Sequence, residues 1–343
     1  MHLTPLRPIV KSVGAVALML CAATHSARSQ AVRENDQMRL EVIGLKRWTL
    51  PMIDDSLRRY APTDSLMSHA CAGVLRQTLK FADASVVYYT GTFGDSVMKP
   101  YLAVTVVEPQ DSALIRYRAP FKDSLPSRRA WRSIRTLYAK HNLAFQQALQ
   151  RPAFLWSDAA LPVADSALRP VLPLRRFLSA HNTTKDRQAA LSTLATNGNE
   201  EDRVVAVVLL TNFAESDSTW WALTEALRDP TATVRGTAAQ VLTTLSRRAP
   251  HRVDWTPATA TLRALLDGTN LFAHNQVMEV LAATQVDSAL ARPLLNGGGD
   301  LVLAKLRSQG MAEKQASRRL LVQLAGRDLG ESPMAWEEWL RGL

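Results

Sequence analysis

The residues of this chain best suited to chemistry are its histidines and cysteines, because these side chains bind metals, carry protons and act as nucleophiles. Seven histidines occur, at His2, His25, His69, His141, His181, His251 and His274. None of them stands in an H-E-x-x-H, H-x-H or Cys/His pattern, so the sequence predicts no metal site. The nearest pairing is His69 with Cys71. Two positions apart on a helix, these side chains face different ways, which argues against a nucleophile and its base.

The patterns that bind nucleotides or activate a serine do not occur either, since the sequence has no P-loop, no G-x-G-x-x-G and no G-x-S-x-G. Its glycine cluster, NGGGD at 296–300, follows no predicted strand and is interpreted as a turn between helices. The acidic groups at Asp54 and Asp55 and at 200–202 fall in the first turns of predicted helices, where carboxylates interact favourably with the helix dipole. We therefore expect no catalytic residue and no cofactor.

Composition is typical of a globular protein with two or three domains. The chain has 343 residues, of which 47% are hydrophobic and 21% are charged, enough for a substantial core. The net charge is +10, and Arg7, Lys11 and Arg28 carry three of these charges, which leaves +7 for the rest. Arginines are scattered along predicted helices, so we expect a solvated surface and no nucleic-acid partner. Weak attraction to acidic lipids or polyanions stays open.

The first residues have the pattern of an export signal. Two basic residues precede a short apolar core, VGAVALMLCAA at 13–23, and SQA at 29–31 is a small-x-small cleavage pattern. The core is too short to span a bilayer stably, which disfavours an anchor helix. A lipidated Cys21 is disfavoured because Leu20 before it is not small. We predict a cleaved signal at 1–31, export to the periplasm or envelope, and no transmembrane segment in the mature form.

Residues 38–112 predict a small α+β domain. The alternating segment RLEVIGLKRW at 39–48 indicates a strand, and Thr49 with Pro51 marks the start of a helix. A second helix carries Cys71 on its apolar face, where we expect a buried thiol rather than a reactive one. SVVYY and LAVTVV then form a hairpin. The order strand, helix, helix, strand, strand predicts a three-stranded sheet with one face covered by two helices.

This arrangement resembles the POTRA (polypeptide-transport-associated) domain. The likeness lies in the Ile43-Gly44 step, the helix start TLPMI, the turn LKFADASVVYY and the strand AVTVVEP. The resemblance implies binding rather than catalysis, because such domains dock extended peptides along the edge of the second strand. Here that edge comprises Ser85, Val86, Val87, Tyr88 and Tyr89. The sequence does not decide between an open edge and one covered by its own flanking loops.

Residues 113–172 predict a helical connector that packs on one of its two neighbours. Ser127 is placed to cap a helix with Trp131 and Ile134 on one side, and a second apolar set follows Asn142. Prolines then interrupt regular structure. They are Pro152, Pro162, Pro170 and Pro173.

Residues 173–343 predict an array of helices, and the most informative segment is ALRDPTATVRGTAAQVLTTL. Asp229 and Pro230 separate two helices, and Val234 and Arg235 begin the second one. Apolar residues lie three, four and seven positions after Arg235, a spacing that places them on one helix face. The same offsets recur after Arg187, Arg203, His274 and Ser317. Such recurrence is typical of helical-hairpin repeats.

This segment resembles a HEAT repeat, in which small residues such as Ala238 and Ala239 let neighbouring helices pack closely. The resemblance implies that Arg235 binds carbonyls or acids at the turn. The C-terminal segment, with Trp336 and Trp339 on one helix face, resembles the end of some bacterial HEAT-repeat proteins and would cover the open end of the array.

The sequence thus predicts a mixed fold, with a small α+β domain of order β-α-α-β-β followed by an all-α HEAT-type helical solenoid. The two resemblances imply a noncatalytic protein-binding or scaffold protein of the bacterial cell envelope, whose protein or peptide partner is held at the sheet edge and on the repeat surface. The alternative is an enzyme or enzyme accessory acting on a small molecule, because some HEAT-repeat proteins resemble bilin lyases. Export and the lack of a pocket motif favour the first hypothesis. Neither the partner nor the oligomeric state follows from the sequence.

Overall fold

The structure is a computed structural model that describes most of the chain. The residues described are 30–68, 70–93, 97–126, 128–151, 155, 163–248, 251–296 and 299–343. Several residues used in the predictions above lie outside these ranges. They are the signal segment as far as Ser29, His69, Ser127, Pro152, Pro162, Gly297 and Gly298.

The N-terminal part contains a mixed sheet of four strands in the order β1-β2-β4-β3. The strands are β1 Gln30–Glu34, β2 Arg39–Ile43, β3 Asp83–Phe93 and β4 Val97–Val107. β2 and β4 run parallel in the centre, and β1 and β3 pair antiparallel with them on the outside. The expected sheet had three strands, and that count is wrong because β1, which begins within the predicted signal, adds to β2. The short segment QAVRE has too little periodicity to reveal a strand by itself.

Two helices cover one face of this sheet, α1 Leu50–Tyr60 and α2 Cys71–Gln77. α1 starts where expected, because the Thr49 hydroxyl accepts the Met52 N–H at 3.4 Å. Pro51 lacks a backbone N–H, but an N–H in the first turn would have no partner within the helix. Leu40, Val42 and Val104 from the sheet form one core with Ile53 and Leu75 from the helices. Cys71 is buried in this core, and desolvation raises the pKa of its thiol to about 11.

The segment that follows the sheet starts with a short 3₁₀ helix, continues as extended chain and then becomes helical. After a short 3₁₀ helix, Pro109–Leu114, it runs past the ends of array helices to residue 126. Arg116 N–H donates to Thr269 Oγ1 at 2.9 Å, and Arg118 N–H donates to the Arg228 carbonyl at 2.7 Å. α3 Arg132–Lys140, α4 Asn142–Leu149 and a 3₁₀ helix at Val163–Val171 follow.

The rest of the described chain is helical. Its helices are α5 Pro173–Ala180, α6 Thr184–Thr196, α7 Glu200–Leu209, α8 Asp217–Ala226, α9 Ala232–Arg248, α10 Thr259–Leu266, α11 His274–Ala283, α12 Ala291–Leu295, α13 Asp300–Leu306, α14 Met311–Ala325 and α15 Pro333–Arg341. Neighbours pack as pairs, α6 with α7, α8 with α9, α10 with α11 and α13 with α14. α7, α9, α11 and α14 also pack in series around one continuous core. Within the described residues, no helix is both long enough and apolar enough to cross a membrane.

The second face of the sheet packs on this helical array. Glu41 in β2 has no exposed surface, and its carboxylate accepts the Ser308 hydroxyl at 2.9 Å, the Gln309 N–H at 3.1 Å and the Tyr101 hydroxyl. Lys305 on α13 is also buried and donates to Asn275 Oδ1 at 2.7 Å. Desolvation lowers the pKa of Lys305 to about 8, although the carboxylates of Glu313 and Glu41 oppose the shift. The sheet and the array are thus joined through a buried polar network.

We expect His274, at the start of α11, to make the stability of the folded chain depend on pH. Burial, helped by the Lys305 ammonium, lowers the pKa of His274 from 6.5 to about 3, and its Nε2–H donates to the Leu266 carbonyl at 3.1 Å. The unfolded chain takes up a proton below pH 6.5 that the folded chain does not, so acidification favours unfolding. We predict that His274 makes the free energy of unfolding fall by roughly 1 kcal/mol between pH 6 and 5. Urea titrations at both values measure it.

The variant His274→Gln is the matched comparison, because glutamine keeps an N–H donor but does not titrate. We expect it to lose most of this pH dependence. An unchanged slope in the variant would show that other groups cause the acid sensitivity.

Candidate polypeptide-binding groove

The predicted binding edge lies on β3, an outer strand that the described chain pairs only with β4. Val87 and Tyr88 are 39% and 45% exposed, whereas the side chain of Ser85 is buried. Tyr89 is covered by the array, since its hydroxyl donates to Glu313 Oε2 on α14 at 3.0 Å. The middle of this strand is therefore exposed, and the array covers the side chain of Tyr89 from one face of the sheet.

A groove of about 570 Å³ runs beside the first residues of β3. One wall is formed by α2 and β3, including Gly73, Ser85 and Val86. The other wall comes from the start of α9, with Arg235, and from Phe272, which is 62% exposed. The structure thus brings together two sites that the sequence predicted separately, the sheet edge and the repeat turn.

The repeat turn is held by two arginines. Asp229 is buried and accepts both Nε and Nη2 of Arg203 at 2.9 Å. Arg235 instead donates through Nη1 to the carbonyls of Asp229 and Pro230, at 2.7 and 3.0 Å. Val234 is buried in the core of the array. Of the two partner types expected for Arg235, the described turn supplies carbonyls.

Tyr117, from the extended connector, forms the floor between the two walls. Its ring lies 4.5 Å from the Arg235 guanidinium carbon, and its hydroxyl donates to Asp83 Oδ2 at 3.2 Å. Burial, and then the Asp83 carboxylate, raise the pKa of Tyr117 to about 12, so the phenol stays a donor at neutral pH. Arg76 Nη1 lies 3.6 Å from Asp83 Oδ1. The acidic group in the groove is therefore compensated by its own neighbours.

Two glycines keep the groove wide. Gly73 in α2 and Gly236 in α9 both line it, and a Cβ atom added to either would meet no other atom within 4 Å. Neither has a positive φ, so the backbone does not require glycine there. Glycine inside a helix is less stable than alanine by about 0.5–1 kcal/mol. Both glycines are therefore expected to lower stability, and the space beside each of them is open.

Sequence reasoning missed much of this lining. Tyr117, Phe272 and Asn270 come from a connector and a turn that the sequence did not place beside the sheet. Gly73 and Gly236 carried the one available signal, a glycine inside a helical pattern. The groove is lined by residues from the sheet, the connector and the array, so it could be recognised only once the packing of the sheet on the array was known.

Searches of protein-family models, curated proteins and solved structures found no match for this chain. Within the described residues, no group of three or more His, Cys, Asp or Glu side chains is placed to hold a metal ion. What the groove binds must therefore be inferred from its own geometry.

We predict that Gly73→Ala and Gly236→Ala each raise the free energy of unfolding by about 0.5–1 kcal/mol, because alanine restricts the unfolded chain and meets only open space. Urea denaturation of the single variants measures this.

Gly44→Ala is the control of opposite sign. Gly44 has a φ of +95°, and its new Cβ would collide with the Val106 carbonyl oxygen, so this variant should be destabilised. If Gly73→Ala or Gly236→Ala also lowered stability, the space beside these glycines would not be open.

Proposed function

We propose that this chain is a noncatalytic polypeptide-binding protein of the bacterial cell envelope. An extended segment of its partner pairs with the edge of β3 and lies against the start of α9. The observation that carries this proposal is that Ser85 and Val86 of the predicted edge and Arg235 of the predicted turn line one groove.

The chemistry of an edge strand supports this role. The outer side of β3 presents backbone N–H and C=O groups that β4 does not use, and a partner strand gains hydrogen bonds by pairing with them. The exposed side chain of Phe272 adds apolar surface to the groove, and Val87 and Tyr88, which follow on β3, are also exposed. The binding of a strand needs no side-chain chemistry.

We interpret the two parts of the chain as a POTRA-like domain and a HEAT-type solenoid. The order β2, α1, α2, β3, β4 supports the first interpretation. The serial packing of α7, α9, α11 and α14 supports the second, as does the Arg203–Asp229 pair between successive turns. β1 and the array on the second sheet face are additions to the pattern expected of a POTRA domain.

We also propose that the export signal ends at Ser29 rather than at Ala31. β1 begins at Gln30, and the Gln30 amide donates to Glu41, so cleavage after Ala31 would remove part of a paired strand. Ala27 and Ser29 form a small-x-small pattern that ends two residues before Ala31. N-terminal sequencing of the exported protein distinguishes the two sites.

Proline in β3 tests the binding mode. N–H groups alternate in direction along a strand, so one of Val87→Pro and Tyr88→Pro removes an outward N–H and leaves the pairing with β4 intact. We predict that the variant that remains folded by circular dichroism loses polypeptide crosslinks from Lys80, measured by mass spectrometry in an envelope fraction.

The matched control is whichever of Val32→Pro and Arg33→Pro, on the opposite outer strand β1, remains folded, and it should keep those crosslinks. If only the β1 variant lost the crosslinks, the partner would bind at the edge of β1 and not at the edge of β3. A folded wild-type chain that crosslinks to no polypeptide would contradict the proposal and favour the small-molecule alternative.

A further inference from the structure

Arg235 is held in a fixed position with part of its guanidinium unused. Its ring contact with Tyr117 and its two bonds from Nη1 to carbonyls restrain the side chain. Neither Nε nor Nη2 has a hydrogen-bond partner among the described residues, and the guanidinium forms no ion pair with them. Arg235 is half-buried and lines the groove, so these donors are available to a ligand.

The equivalent arginine of the preceding repeat, Arg203, has hydrogen-bond partners for all of its guanidinium nitrogens. Arg203 is buried, and its Nε and Nη2 bind the Asp229 carboxylate while its Nη1 donates to the Asn197 carbonyl at 2.9 Å. Nη2 also donates to Thr231 Oγ1. That guanidinium is occupied on every side and is structural.

The acidic residue of the next repeat turn, which by analogy would pair with Arg235, pairs with another arginine. ALRDPT, which contains Asp229, is matched one repeat later by ALLDGT, which contains Asp267. Asp267, however, pairs with Arg116 of the connector, and the neighbouring Thr269 accepts the N–H of Arg116. The connector thus takes the carboxylate that the repeat pattern would give to Arg235. The positive charge of Arg235 is left facing the groove.

We propose that Arg235 binds an acidic side chain of the polypeptide segment that pairs with β3. This inference rests on the proposed function and adds the chemistry of the partner. β3 has eleven residues and continues beyond the groove, so a paired segment passes through, and its carboxylate comes from Asp or Glu within the segment. A guanidinium held in this way favours two parallel hydrogen bonds to a carboxylate.

Two matched probes test this inference. One is a fluorescein-labelled, amidated peptide Ser-Thr-Val-Glu-Val-Thr-Val-Ser, and the other has Gln in place of Glu. We expect the wild-type chain to bind the Glu peptide at least about fivefold more tightly in low salt, by fluorescence anisotropy. Rising ionic strength should reduce the difference.

Arg235→Gln should bind the two peptides equally, and Arg235→Lys should keep part of the preference. Arg252→Gln is the control for loss of one positive charge, because Arg252 is exposed and pairs with Asp287 outside the groove. A Glu preference that survives in Arg235→Gln would overturn the assignment. Circular dichroism shows whether each variant is folded.

The remaining outcomes separate this inference from the proposed function. Equal binding of both peptides by the wild-type chain, lost in the folded proline variant of β3, would overturn carboxylate recognition and leave strand addition standing. Binding of neither peptide would count against both.

Discussion

A carboxylate without exposed surface lies in the middle of the sheet, and the joint between the two parts of the protein is built around it. Removing such a charge from water costs several kcal/mol unless donors surround it. Glu41 obtains its donors from Gln30 on β1 and Tyr101 on β4, and from Ser308 and Gln309 in the turn before α14. Separating the sheet from the array would leave this charge without half of its partners. The network therefore fixes β3 relative to α9, and the groove between them exists because of that restraint.

The extended connector ties the same two parts together along a second line. Its backbone bonds to Arg228 and Thr269, which lie in the turns inside two successive helical pairs, and Arg116 pairs with the buried carboxylate of Asp267. A connector of this kind closes a long loop and supplies the Tyr117 floor of the groove. It also changes the electrostatics of the groove, since it leaves Arg235 without the acid that Arg203 has. The connector thus both joins the sheet to the array and determines which charge faces the groove.

Local features were predictable where a short pattern determines them. Thr49 and Pro51 mark the start of α1, and the spacing after Val234 and Arg235 marks an array helix, because caps and helical periodicity act within a few residues. The alternation in β2 placed Glu41 opposite Leu40 and Val42. It did not predict the burial of Glu41, whose partner Ser308 is 267 residues away. The extended connector was missed for the same reason, since it is stabilised by bonds to residues far away in sequence. β1 pairs with the neighbouring β2, and it was missed because its five residues show too little periodicity.

The most direct test of the account is site-specific photocrosslinking of the full exported chain in an envelope fraction. A photoreactive residue replaces Val87 or Phe272. Val87 follows the groove residue Val86 on β3, and Phe272 lines the array wall. The reference position is Met334, which is 75% exposed at the far end of the array. The account predicts that Val87 and Phe272 capture the same polypeptide through one short stretch of its sequence and that Met334 does not. If Val87 and Phe272 captured different polypeptides, or no more than Met334 captures, the sheet and the array would not form one binding groove.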